Sequence, residues 1–181
     1  MKSKRSNILE LVHRDIEAIQ LADSEMSFLA AVRLVNLGTK TATRPLINVA
    51  RYSHELHSRV FAIYALRSLR DRRAVTSLIR LTQLDQPEEV RDEAVEALAI
   101  FIEKGCRRAI RAVTKSARTD TSPYVRWSAA YSLGHSTDAE CITGLTLLLE
   151  DRGIPVGRTP VMVEAEEMLN TIVSRKANGN K

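Results

Sequence analysis

The chain has little of what interrupts a helix. Its 181 residues include 7 glycines and 5 prolines, about half of average usage, which excludes collagen-like and low-complexity chains and leaves few turns for a β fold. Aromatic residues make up 4%. The two cysteines, Cys106 and Cys141, stand alone without C-x-x-C spacing, so neither a disulfide framework nor a zinc site is indicated, and a reducing cytoplasm fits. No run approaches the roughly 18 uncharged apolar residues that would span a bilayer. The first apolar run, Ile8 to Leu21, is broken by Glu10, His13, Arg14, Asp15 and Glu17, which argues against a signal peptide and against a membrane partner.

Catalytic signatures are missing as well. There is no G-x-S-x-G, P-loop or G-x-G-x-x-G string, and each of those needs its glycines to bring backbone against a nucleophile or phosphate. Of four histidines, His54 and His57 share a helical spacing but have no acidic or cysteine partner at ligand distance in sequence. Cys106 is flanked by Lys104, Arg107 and Arg108, which would lower a thiol pKa, while a small residue filling a helix contact is the simpler account. The expectation is a chain that is not an enzyme, with no cofactor, no metal and no small-molecule substrate.

What the chain does contain is helical material. Ala and Leu number 20 each, apolar residues are 44% and charged residues 27%, a globular rather than disordered balance. The length suits one domain. Net charge is +5, carried by 20 Arg against 7 Lys, and Arg excess favours planar contacts to carboxylate or phosphate.

A repeat organises these residues. Val90-Arg91-Asp92-Glu93-Ala94-Val95-Glu96-Ala97-Leu98 aligns with Val125-Arg126-Trp127-Ser128-Ala129-Ala130-Tyr131-Ser132-Leu133. The same frame takes in Ser58-Arg59 with Ala62 and Leu66, then Ala30 with Leu34, and Ala165 with Leu169. Successive leucines are 32, 32, 35 and 36 residues apart. Each period holds two helical stripes separated by a break at Leu37-Gly38-Thr39, Leu69-Arg70-Asp71, Lys104-Gly105 or Leu133-Gly134-His135. The spacing predicts second helices at about 42–52, 73–84, 106–118 and 138–150. Each helix is too short and one-sided to bury its stripe alone, so the hairpins must stack.

The string V-R-x-x-A-x-x-A/S-L-G, followed by a second helix ending in L-x-x-L-x-x-D, resembles the short bacterial HEAT repeat of the type also found in phycobilin lyase subunits. The likeness covers about 24–175, with Val125 to Gly134 its best match. It implies an all-α fold, a right-handed α-solenoid of about four to five hairpins with an N-terminal capping helix. The implied organisation is a tail and capping helix over 1–22, a solenoid over 23–175 and a disordered tail over 176–181. The resemblance further implies that the repeat arginines Arg59, Arg91 and Arg126 pair with turn aspartates, for which Asp85, Asp120 and Asp151 are placed, and that second helices line a concave surface.

On those second helices, positions opposite the stripe Leu46, Leu78, Val113, Leu145 recur at i, i+4, i+7 and so share a face. They hold Arg44, Asn48, Arg51; Thr76, Arg80, Gln83; Arg111, Lys115, Arg118; and Thr143, Leu147, Glu150. Six are cations and one an anion. Opposite them, Glu88, Glu89, Asp92, Glu93 and Glu96 crowd one first helix. A solvated face needs no such sorting, although an Arg-rich chain can arrive at it by chance. A second candidate surface is Tyr124, Trp127 and Tyr131, at i, i+3, i+7, which is either covered by the loop Arg152 to Pro160 or the last helix, or a contact anchor.

The partner-binding candidates are therefore Arg44, Asn48, Arg51, Arg80, Gln83, Arg111, Lys115, Arg118, Trp127 and Tyr131. The expected function is a non-catalytic cytoplasmic scaffold, adaptor or inhibitor whose basic concave surface takes an acidic protein. Nucleic acid is the alternative partner, and a lyase or chaperone-type subunit, implied by the resemblance, is the third reading. Tyr52 and Lys115 are the one aromatic and one lysine on the second helices, which favours protein over a strand of stacked bases.

Overall fold

The computed structural model describes residues 4–21 and 23–179. Among them lie ten α-helices and two short 3-10 helices, with no strand. They gather into two compact units, Met1–Ser77 and Leu78–Lys181.

In the first unit, α1 (Lys4–Ile19) precedes the hairpin of α2 (Ser24–Leu37) and α3 (Thr43–Tyr52), and α4 (Leu56–Leu69) follows. Asp23 caps α2 by accepting from the Met26 N–H (3.0 Å), and Gly38 ends it at φ 62°, a conformation open to glycine without Cβ strain. One repeat later Arg70 takes that role at φ 50°. The expected 73–84 helix is shorter than its stripe. Asp71 caps the Arg73 N–H (3.0 Å), so Arg72–Ala74 wind as 3-10 before α5 (Val75–Leu81). The capping role expected of the N-terminal helix is visible in polar contacts. The hydroxyls of Ser27 (2.9 Å) and Ser58 (2.6 Å) donate to the Ile19 carbonyl at the end of α1, whose last-turn carbonyls would otherwise be orphaned. Buried Asp15 is paired with Arg14 and Arg33.

In the second unit, α6 (Glu88–Glu103), α7 (Arg107–Thr119), α8 (Pro123–Leu133), α9 (Ala139–Leu148) and α10 (Val161–Gly179) form successive hairpins. First helices pack on first helices, α6 on α8 on α10, and α7 packs on α9. Small residues set the spacing. Ala94, Ala97, Ala129 and Ala130 are fully buried, and a Cβ on Gly134 would collide with the Met168 side chain of α10. Ser122 caps α8 by accepting from the Tyr124 N–H (3.1 Å), with Pro123 in the first turn, where a missing N–H costs nothing. The α10 helix continues to Gly179, so Lys176 to Gly179, expected to begin a disordered tail, are helical. Residues 1–3, 22, 180 and 181 lie outside the described residues.

Two arginine–aspartate rungs bind the second unit. Arg91 is paired bidentately with Asp120 (Nε 2.8 Å, Nη2 2.8 Å), at side-chain exposures of 8% and 1%, and donates to the Gln86 carbonyl (2.7 Å). Asp120 also accepts from the Ser122 N–H (2.9 Å). Arg126 repeats the arrangement with Asp151 and donates to the Asp120 carbonyl (2.9 Å), linking one rung to the next. The third repeat arginine, Arg59, donates to the Ala50 carbonyl (2.9 Å), and Asp85 accepts from Arg80 (2.8 Å).

Removing one partner of such a rung strands a buried charge. Asp120→Ala is expected to cost about 3 kcal/mol, read as a lower urea midpoint with unchanged slope. Arg126→Ala costs less, because its pair is more open to water. If the two variants melt alike, burial is not what strengthens the first rung.

Asp71 sets up a pH dependence in the first unit. The Arg73 guanidinium holds the Asp71 carboxyl well below the usual range, and the Thr43 hydroxyl (2.8 Å) acts in the same direction. A carboxyl with a depressed folded pKa contributes stability that is fully present above its unfolded value of about 3.9 and lost as pH falls further. Asp71→Asn should therefore flatten the loss of melting temperature between about pH 5 and pH 2.5. An equally steep acid limb in the variant would contradict this.

Candidate functional site

The basic face is built on α7. Ala109, Ile110, Val113 and Ala117 are buried, and the 3.6-residue period then forces Arg107, Arg108, Arg111, Lys115 and Arg118 outward, all of them exposed. Beside it, Arg80 is exposed on α5 and Gln83 lies half-buried in the turn after it. Lys115 Nζ donates to Gln83 Oε1 (3.1 Å), which joins the two second helices through their candidate residues. Two cations have carboxylates nearby: Arg80 with Asp85 (2.8 Å) and Arg111 with Glu140 (4.0 Å). Among the described residues, Arg107 and Arg118 have no carboxylate within ion-pair distance.

The next second helix carries the same register without the charge. On α9, Thr143 satisfies its hydroxyl on the Ala139 carbonyl (2.9 Å), Leu147 is 50% exposed, and Glu150 follows in the turn. Leu147 and Glu150 border an open concavity with Arg118. The recess beside Lys115, lined by Thr82, Gln83, Leu84, Ser116, Thr119 and Asp120, holds about 110 Å³. That is below the roughly 300 Å³ of an ordinary small-molecule site, so this recess is too small to engulf a ligand.

The other second-helix candidates, Arg44, Asn48 and Arg51, are exposed on α3 in the first unit. Arg51 lies over the Tyr52 ring (4.8 Å). Asn48 lines an open groove with Ile16, Gln20, Pro45, Val49, Tyr52 and Ser53.

The aromatic candidates are covered in part by the 152–160 loop. Tyr124 donates to the Val156 carbonyl (3.3 Å) and Trp127 Nε1 to Thr159 Oγ1 (3.0 Å). Trp127 stacks on Tyr131 at 6.0 Å between centroids and 4° between planes. Tyr131 remains 39% exposed and meets His135 edge-on (4.9 Å). Arg158 places its guanidinium 4.4 Å from the Trp127 ring centroid and donates to Ser128 (3.0 Å) and Asp92 (3.4 Å). Sequence reasoning missed this contact. Its one signal is an arginine inside an otherwise apolar loop bracketed by glycine and proline.

Candidates for reactive or metal chemistry separate in space. His57 sits at the Leu21 carbonyl (3.0 Å) and beside Phe61, and among the described residues no three His, Cys, Asp or Glu side chains converge on a metal-sized point. Burial pushes the Cys141 thiol up to about 11, which makes it a poor nucleophile near neutrality. Among the described residues no helix is long and apolar enough to cross a membrane.

The HEAT repeat profile matches residues 84–159, the stretch that contains both arginine–aspartate rungs. The fold aligns with a chain of the complex of CpcE and CpcF of phycocyanin lyase from Nostoc sp. PCC7120 at a TM-score of 0.74 and 17% identity, covering 89% of this chain and 99% of that one. Human deoxyhypusine hydroxylase in complex with glycerol aligns at 14% identity over 96% of this chain and 92% of that one, with a TM-score of 0.40. No curated protein matches the sequence. The expectation that this chain is not an enzyme is corrected here. The fold that it shares over 89% of its length is that of a chain in a phycocyanin lyase complex, and a missing nucleophile motif does not set this chain apart from that fold. Residues 84–159 thus match the HEAT repeat, and the chain shares its fold with a chain of a phycocyanin lyase complex.

Proposed function

We propose that this chain holds a partner protein, and that the basic face of α7, with Arg80 and Gln83 beside it, takes an acidic surface of that partner. The observation that carries the reading is the division of α7 into a buried apolar side and a side where five cations are exposed, three of which, Arg107, Lys115 and Arg118, have no carboxylate within ion-pair distance among the described residues. Such a face steers an acidic protein toward it and adds charge-assisted contacts on arrival. Gln83, oriented by Lys115, suits backbone and carboxylate groups.

The likeness to a chain of a phycocyanin lyase complex favours one refinement. In it the held protein is the substrate of a lyase-type assembly, and this chain is one subunit of that assembly. Both readings need the same protein-binding face. They differ in whether a second subunit must be present for the partner to be changed as well as held.

The test is a triple reversal, Arg111→Glu, Lys115→Glu and Arg118→Glu, in full-length protein used to capture partners from the source cell. The variant should lose the captured acidic proteins while its melting temperature stays within a few degrees, because all three residues are solvated. Gel-shift titrations at 150 mM salt with mixed-sequence DNA and RNA should show nothing tighter than the micromolar range of non-specific attraction. Saturable submicromolar binding of nucleic acid, lost in the reversal, would replace the protein partner with nucleic acid.

A further inference from the structure

On the opposite side of the second unit from the basic face, α6 and α8 form a seat of different chemistry. Asp92 and Glu96, one turn apart on α6, face Ser128 and Trp127 on α8. Ser128 is fully buried, and its hydroxyl hydrogen-bonds Asp92 and Glu96. Burial pushes the Asp92 carboxyl above its ordinary range, while Ser128 and Arg158 pull it back. A desolvated carboxylate of this kind is stabilised when a cation stays against it.

The occupant is Arg158 of the 152–160 loop. Its guanidinium lies 4.4 Å from the centre of the Trp127 ring, 3.0 Å from Ser128, 3.4 Å from Asp92 and 3.7 Å from Glu96. Those carboxylate distances are well beyond the 2.8 Å of the Arg91–Asp120 rung. The seat is therefore shaped for a planar cation, with an aromatic plate on one side and carboxylates at the edge, and its present occupant fits it loosely.

The loop that carries Arg158 is held to α8 chiefly by side chains, Tyr124 donating to the Val156 carbonyl (3.3 Å) and Trp127 Nε1 to Thr159 Oγ1 (3.0 Å). Its own backbone bonds run from Arg158 to Pro155 and from Val161 to Gly153, and the Gly153 N–H donates to the Asp151 carboxylate (2.8 Å). Gly157 sits at φ 75°, and Ile154 and Val156 are 67% and 85% exposed. Next to the seat, Tyr131 extends the Trp127 plate into solvent. Lifting the loop uncovers the Trp127 ring, beside the already exposed Tyr131, and two carboxylates, and gives up the Tyr124–Val156, Trp127–Thr159 and Arg158 hydrogen bonds.

We propose that Asp92, Glu96, Ser128 and Trp127 form a binding site for an arginine side chain of a partner protein segment, and that Arg158 fills the site in cis until such a segment displaces it. The loop acts as a built-in competitor. A group held on a short tether is present at roughly millimolar effective concentration, so a partner arginine succeeds only with help from neighbouring contacts, which Tyr131 supplies. The site is opposite in charge to the α7 face and stands or falls separately from the function proposed above.

Trp127 is the one tryptophan in the chain, so its emission reads this site directly. The probes are acetylated, amidated Gly-Arg-Gly, with Gly-Lys-Gly as the non-planar cation and Gly-citrulline-Gly as the neutral isostere. In Arg158→Ala the arginine peptide should shift Trp127 emission saturably, with an apparent Kd about tenfold or more below that of the unaltered protein, as expected when a tethered competitor is removed. Lysine and citrulline peptides should bind far less well, and adding Asp92→Asn with Glu96→Gln should abolish the arginine response. Should Arg158→Ala lose helical circular dichroism, Arg158→Gln, which keeps a methylene stem and an amide donor without the charge, takes its place with the same expectation. A folded variant that ignores the arginine peptide, or answers lysine equally, overturns the proposal.

Discussion

The buried guanidinium–carboxylate rung is the constraint from which the second unit follows. Arg91 cannot be taken from water at 8% exposure unless Asp120 meets it with both oxygens, and Asp120 reaches that position only because α7 ends at Thr119. The same aspartate then accepts from the Ser122 N–H, so the first turn of α8 is fixed by the residue that closes α7. Arg126, one turn into α8, donates back to the Asp120 carbonyl before reaching Asp151. The rungs thus form a ladder in which each repeat positions the start of the next. This is the polar counterpart of nearest-neighbour burial in a repeat fold.

Small residues let that ladder close. First helices approach through Ala94, Ala97, Ala129 and Ala130, with glycine at 134 where the α10 side chain Met168 crosses. With the interior filled by small and branched apolar groups, charged side chains that enter it, such as Arg91 and Asp120, do so as pairs. The period of α7 then sends every cation to one side, because its apolar residues claim the other.

The frame of the fold was legible because a repeat multiplies each signal. The alignment of Arg91 with Arg126, and of Leu34, Leu66, Leu98 and Leu133, predicts the helices and the breaks, and the resemblance to the HEAT repeat implies the Arg91–Asp120 and Arg126–Asp151 rungs. Deviations arose where one position departs from its frame. Asp71 draws Arg73 into a 3-10 turn and shortens the second helix, a local hydrogen bond that periodicity does not encode. Exposure of Arg111, Lys115 and Arg118 is readable from the stripe, whereas the carboxylate near Arg111 is not: Glu140 lies in the next second helix, and only packing brings it to Arg111. The covering of Trp127 was open between two accounts, because a loop outside the repeat has no register to align. Arg158 and Asp92 are 66 residues apart, and nothing in either one's neighbours ties them together.

Contrast between the two kinds of arginine explains why only some are free for function. Arg91 and Arg126 are fixed by short bidentate contacts and backbone carbonyls, and moving either would leave a buried carboxylate unpaired. Arg107 and Arg118 are exposed and, among the described residues, have no carboxylate within ion-pair distance. Arg158 stands between these cases, seated against carboxylates at 3.4 and 3.7 Å and on an aromatic ring. An arginine held that way stabilises the seat more than the seat immobilises it, since two carboxylates gain a counter-charge while the guanidinium keeps part of its surface in water. In a fold whose repeats demand arginines for structure, the exposed and loosely held ones are where binding can be read.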